Sequence, residues 1–422
     1  MNLSDVKLSY VKYKMNRMSL SVPSLGQPYE INRNHISTIV IDKDYDNFMF
    51  PFFEIDVVVP NYVYRAMKKK NQELKAFIDL QYGQFSEISY TDNDIPAFSS
   101  YVTDNFYIFM EEMTPEVSEN IIEEKEKEDE TFGKGMNLGD ATMVKLLLYR
   151  EDYLFKSKTL VNAILTSATL IDSLTFVLNK AGLNNVLVTP PNNYKTYQEF
   201  VITPVSAMEQ IDRICNEFGM HTNGTLIFFD FKALYIIDKN PKCTAFVQNE
   251  AKTTYLMSCP SKSQGSTMAK GWYYNPIEKY SLLNLDPSTL QIKDFSGVND
   301  QIYGNDFINI DINTGDVKSV ESGATKSSAS LSGPTRVVVT TKGSDTSGSI
   351  KRQMSESSKI LSMGFSYINL NALNPNKEFV FSIDDTRFSK YAGKYRITKK
   401  TVVMQKEGEY FAPHVIAEFR GN

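Results

Sequence analysis

What most constrains this chain is the shortness of its apolar runs and the regularity with which they stop. LSDVKLSYVKY (3–13) alternates apolar and polar side chains, the period of a strand with one face buried. HISTIVID, FFEIDVVVP and LKAFIDLQYG follow, each bounded by Pro, Gly, Asn or Asp. NYVYRAMKKKNQ between the last two reads as a short helix with a basic end, and FSSYVTDNFYIFM as a further strand pair. No run approaches the roughly 18–20 apolar residues of a membrane span. The first 110 residues are therefore expected to be β.

The β pattern is then broken. Glu111 to Glu130 holds ten acidic residues against two lysines, which reads as a solvated insertion over 111–135. It lacks the DxDxDG spacing and turning glycine of a calcium loop. MVKLLLYREDYLFK returns to strand before the period changes.

From about 158 to 241 the spacing is helical and then β, which predicts a compact α/β module of two helices and a hairpin. Leu170, Ile171, Leu174, Val177, Leu178 and Ala181 recur at three- and four-residue steps, and Gly182 supplies the stop. Ser206 and Glu209 have the spacing of a capping box ahead of Met208, Ile211, Ile214, Cys215 and Phe218, with Gly219 as the second stop. Asn223-Gly224 favours positive φ, and TLIFFD and KALYIID read as two strands joined around Asp230–Lys232.

The last third is β again. YLMSC, KGWYYNP and DFINIDI are strand-like, and EFVFSIDD, GKYRITKKTVVMQ and YFAPHVIAEFR form a meander. Between them, 23 of the 46 residues in 313–358 are Gly, Ser or Thr, the composition of a flexible loop, with VVVTT as a candidate edge strand.

A search for chemistry yields no catalytic, cofactor or metal residues. GxGxxG, GxxxxGK[ST], GxSxG and HExxH are all missing. His35, His221 and His414 are far apart. His221 with Asp230 or Asp238 could be a base and its orienter, but beside a turn it is expected to satisfy a backbone carbonyl instead. Cys215, Cys243 and Cys259 are an odd count without CxxC spacing, and Cys215 falls on a buried helix face. The net charge of −5 offers no basic face for a nucleic-acid backbone. MNLSDVKLSYVKYKMNRMSL lacks the apolar core of a secretory leader, so synthesis and assembly in a reducing cytoplasm are expected.

One segment resembles a known family. From Ile164 to Tyr235, a helix ending LNKAGL is followed by NVLVTPPNNYKTYQEFVITP, the capped helix SAMEQIDRICNEFGMH and the hairpin TLIFFDFKALYII. This is similar to the middle module of the baseplate central hub proteins of contractile-tailed bacteriophages. The resemblance implies an α+β, mainly β fold with two tail-tube-like β-barrel domains, 1–157 and 242–422, flanking the module at 158–241. It also implies a homotrimer with no catalytic residues. Such a trimer sits in the virion baseplate between the tail tube protein and a central spike protein, with the tape measure protein and baseplate wedge proteins as further contacts. Three chains with two barrels each then match a six-fold tube, and an acidic wall lets DNA pass. The alternatives are a tail-associated peptidoglycan hydrolase using an Asp/Glu pair, or another adaptor such as a tube terminator or distal tail protein.

Overall fold

The computed structural model describes residues 7–8, 10–46, 50–86, 96–112, 141–222, 224–239, 359–375, 378–383 and 386–421, with the backbone of the strands between 254 and 340. The N-terminal part forms β1 (Tyr10–Ser21), β2 (Ile36–Asp44), β3 (Phe52–Pro60), α1 (Asn61–Met67), β4 (Lys75–Phe85), β5 (Phe98–Glu112) and β6 (Ala141–Tyr149). FSSYVTDNFYIFM is thus one strand of fifteen residues with Glu111–Glu112, not a pair. Asp104-Asn105 carries a turn signal but stays extended, pairing with Ile78 and Phe77 on β4. Apart from Glu111 and Glu112, the acidic segment 111–135 lies outside the described residues.

The module follows α2 (Glu151–Leu154). It contains β7 (Leu160–Thr169), α3 (Leu170–Ala181), β8 (Val186–Val188), β9 (Thr196–Ser206), α4 (Ala207–Asp212), β10 (Thr225–Phe229) and β11 (Leu234–Asp238). Helix α3 starts on a reciprocal capping box, Thr169 with Asp172, and ends at Gly182 with φ +72°. Ser206 caps α4 by accepting from the Glu209 backbone N–H at 3.3 Å. The helix then widens to a π turn over Arg213–Glu217 before Gly219 ends it at φ +72°. Of the apolar positions expected on the two helices, Leu170, Leu174, Val177, Leu178, Ala181, Ile211, Ile214, Cys215 and Phe218 are buried, and Ile171 and Met208 are partly buried. Gly224, at φ +89°, turns the chain from helix into β10, and the hairpin itself reverses at Asp230–Ala233.

The C-terminal strands are β12 (Thr254–Cys259), β13 (Lys270–Tyr274), β14 (Ser281–Asp294), β15 (Asp306–Asp311), β16 (Val317–Glu321), β17 (Arg336–Thr340), β18 (Lys359–Ser366), β19 (Glu378–Ile383), β20 (Gly393–Glu407) and β21 (Tyr410–Gly421). Strand β17 carries VVVT and pairs with β15 alone among the described strands, as an edge strand does. The rest of 313–358, outside β16 and β17, lies beyond the described residues.

Eight strands close a barrel in the order β1-β4-β5-β6-β3-β2-β20-β21, returning to β1 through Tyr13 opposite Phe411. The last two come from the far end of the chain, so this barrel is not contiguous in sequence. Its interior is packed with apolar side chains: Tyr13, Phe53, Phe106 and Phe411 are all buried. Residues 368–373 also enter it. The Lys400 ammonium donates to the Leu370 and Leu373 carbonyls at 2.8 and 2.7 Å, and the Leu370 N–H donates to the Tyr13 hydroxyl at 2.9 Å. A barrel this full is a core, not a pore.

The β20–β21 hairpin is long enough to serve twice. Lys399–Gln405 pairs with β2, whereas Tyr395 and its neighbours pair with β19, and His414–Arg420 pairs with β18. Through these pairings β14-β13-β12-β19-β20-β21-β18 runs back to β14.

Candidate functional site

The stretch from Phe218 to Asp238, which holds His221, Asp230 and Asp238, forms the joint between the module and the barrel. The β10–β11 hairpin alternates, so its two faces serve different cores. Ile227, Phe229, Leu234 and Ile236 pack into the module, whereas Leu226, Phe228, Phe231 and Ile237 pack into the barrel core. The tip is a tight turn held by Asp230, whose carboxylate accepts from the Lys232 and Ala233 N–H groups at 2.8 and 3.0 Å.

Phe231 at that tip plugs one end of the barrel. Its ring stacks on Phe53 with centroids 4.5 Å apart and planes 14° apart, and meets Tyr101 and Phe106 edge-on. Above it, the Lys43 ammonium lies 4.4 Å from the ring centre. Burial lowers the Lys43 pKa to about 8, partly offset by the Asp230 carboxylate. Burial raises the Tyr45 and Tyr101 hydroxyls well above their ordinary value, so both stay neutral.

Arg150 fastens the joint from the other side. Its guanidinium donates to the Phe231 carbonyl at 2.7 Å, to the Asp104 carboxylate on β5, and to Asp152 at 3.0 and 3.1 Å. It also sits 5.2 Å from the centre of the Phe229 ring. Beside it opens a polar cleft of about 610 Å³, with Lys75, Asp104 and Tyr107 on the barrel side and Glu151, Lys156 and Asn184 on the module side.

His221 is a buried pin in this scheme. Its Nδ1 is 2.9 Å from the Thr225 hydroxyl, and its Nε2 is 3.0 Å from the Thr189 hydroxyl and 3.3 Å from the Thr189 carbonyl. It thus ties the helix end to the segment after β8 and to β10. Burial lowers its pKa, with the Thr189 carbonyl acting in the opposite direction. Neither Asp230 nor Asp238 is among its hydrogen-bond partners: Asp230 holds the hairpin turn, and the Asp238 N–H donates to the Thr189 hydroxyl at 2.8 Å. His35 and His414 lie elsewhere, His414 beside Ser366 at 3.1 Å. Among the described residues, no three His, Cys, Asp or Glu side chains converge as a metal site. Sequence reading missed Arg150, Phe231 and Lys43, since only the fold brings residues 43, 150 and 231 together.

The pattern for Bacteriophage PBS1 gene 109 protein matches residues 11–409, nearly the whole chain. The chain belongs to that family. No curated protein matches it. The family member shares its fold with the tail protein from Neisseria meningitidis MC58, at 8% identity and a TM-score of 0.50, covering 98% of this chain and 97% of that one. The 43 kDa tail protein of prophage MuSo2 from Shewanella oneidensis aligns at 11% identity and a TM-score of 0.47, over 95% and 97% of the two chains. The E. coli c3393 protein, described as a component of the type VI secretion system, aligns at 10% identity and a TM-score of 0.43, over 90% and 73%. The family match runs well beyond the 164–235 segment that carried the resemblance, and the fold over the whole chain is shared with a tail protein.

Proposed function

We propose that this family member is a non-enzymatic hub of a phage baseplate, a homotrimer that joins a six-fold tail tube to a three-fold central spike. The observation that supports this most is the shared β20–β21 hairpin, which closes the eight-stranded barrel and also completes the second ring of strands. Two strand rings per chain and three chains present six tube-like surfaces, which is the symmetry match such an adaptor needs. We assign the first surface to 1–157 completed by 393–421, the second to the rest of 242–422, and the module at 158–241 to bracing the first barrel.

DNA passage follows the same logic. The eight-stranded barrel is filled, so the channel lies between chains and not through that barrel. A net charge of −5 per chain suits a wall that repels a phosphate backbone. Electron micrographs of the purified protein with its tube and spike partners test the reading. A three-fold ring with two barrels per subunit around a channel is expected. A particle with one barrel per subunit would instead indicate a terminator-like adaptor.

A further inference from the structure

Among the described residues, Lys12 and Lys400 are buried lysines that meet oxygen, and Lys43 differs from both. Lys400 donates to two carbonyls, and the Lys12 ammonium lies 3.0 Å from the Glu407 carboxylate. Lys43 is just as buried, at 3% exposure, yet among the described residues the partner found for its ammonium is the Phe231 ring. Beside the same ring, Tyr101 carries a buried hydroxyl with no hydrogen-bond partner in the described structure. Two groups that weaken burial thus meet where the module touches the barrel.

We propose that this joint is proton-controlled: the hairpin tip docks less firmly in the barrel mouth while Lys43 is charged, and docks more firmly once Lys43 gives up its proton. The groups around Lys43 leave it as the one that responds. On the hairpin, Asp230 favours its charge and Lys232 opposes it. On the barrel side, Tyr45 and Tyr101 stay neutral, and Lys400 is engaged with carbonyls. Arg150 is paired with Asp104 and Asp152.

The direction follows from linkage. Burial holds Lys43 at about 8 in the folded chain, and opening the joint to water returns it toward its ordinary value of 10.5, so the docked joint binds fewer protons than the open one. Docking strength is therefore flat below about pH 7 and grows between about 8 and 10.5. From pH 7 to 9 the docking equilibrium gains about tenfold.

Hydrogen exchange on the whole chain, corrected for intrinsic rates, reads this at the amides of 225–238, with β4 amides as the internal reference. In the wild type, protection of the hairpin relative to β4 rises about tenfold from pH 7 to 9. In Lys43→Met that rise disappears, and protection at pH 7 exceeds the wild-type value. Tyr101→Phe keeps the rise and lifts protection at every pH. An unchanged rise in Lys43→Met, a flat wild-type profile, or a rise shared equally by β4 overturns the proposal.

Discussion

Arg150 donates to the backbone carbonyl of Phe231 at 2.7 Å, and through that one bond a residue following the barrel's sixth strand holds the tip of the module's hairpin. The same guanidinium is shared with Asp104 and Asp152, so it joins three elements by charge-assisted hydrogen bonds. Arg150→Met keeps the aliphatic stem and removes all of them, leaving two carboxylates facing each other across the seam. A loss of about 2–3 kcal/mol is expected, read as a lowered denaturation midpoint. An unchanged midpoint means that the seam is held by apolar packing alone.

His221 is a buried pin between Thr189 and Thr225, and a pH dependence follows from its burial. Burial holds it below its ordinary value of 6.5, so the folded chain keeps it neutral while the unfolded chain takes up a proton. Its contribution is present above about pH 6.5 and is lost as pH falls below that value. His221→Gln lowers stability at pH 7.5 by about 1–3 kcal/mol, because Thr189 and Thr225 lose a buried partner. The variant also loses part of the acid-side slope in a urea titration series. If the slope is unchanged, His221 is not neutral in the fold.

Lys400 makes the opposite prediction to Lys43. Lys400→Met strands the buried Leu370 and Leu373 carbonyls inside the barrel. The expected cost is about 2–4 kcal/mol, measured by calorimetry. A neutral result implies that residues 368–373 can leave the barrel without penalty.

At the other end of the module, Thr169→Ala removes the cap of α3 and its reciprocal bond with Asp172. About 1 kcal/mol is expected to go with it. Urea midpoints of the two proteins at pH 7.5 check this, and equal midpoints contradict it.

Local structure was legible at the module's two helices and its hairpin, whereas the strand β7 (Leu160–Thr169) lay in a stretch read as helical and α2 (Glu151–Leu154) in one read as strand. The 3.6-residue stripe ending at Gly182, the Ser206 cap and the strands on either side of Asp230 all follow from short-range spacing. The Thr169–Asp172 box had its signal too, a Thr three residues ahead of an Asp, and was overlooked. Barrel closure had no such signal. Thr401 donates to Asp42 at 2.9 Å across 359 residues, and nothing in either segment names the other. The joint was hidden for the same reason. Lys43 looks like an ordinary strand lysine, and Phe231 looks like one more aromatic at a turn, until the fold stacks one above the other. FSSYVTDNFYIFM is one strand and not a pair because pairing with β4 runs unbroken through Asp104-Asn105 and Asp104 is tied to Arg150, which outweighs the local turn preference there.

The proposed adaptor needs three copies of this chain. Sedimentation of the full chain, alone and with its spike protein, tests it most directly. A species of three times 47.9 kDa, alone or on binding one spike trimer, is the predicted result. A stable monomer that binds neither the spike nor the tube protein would contradict it.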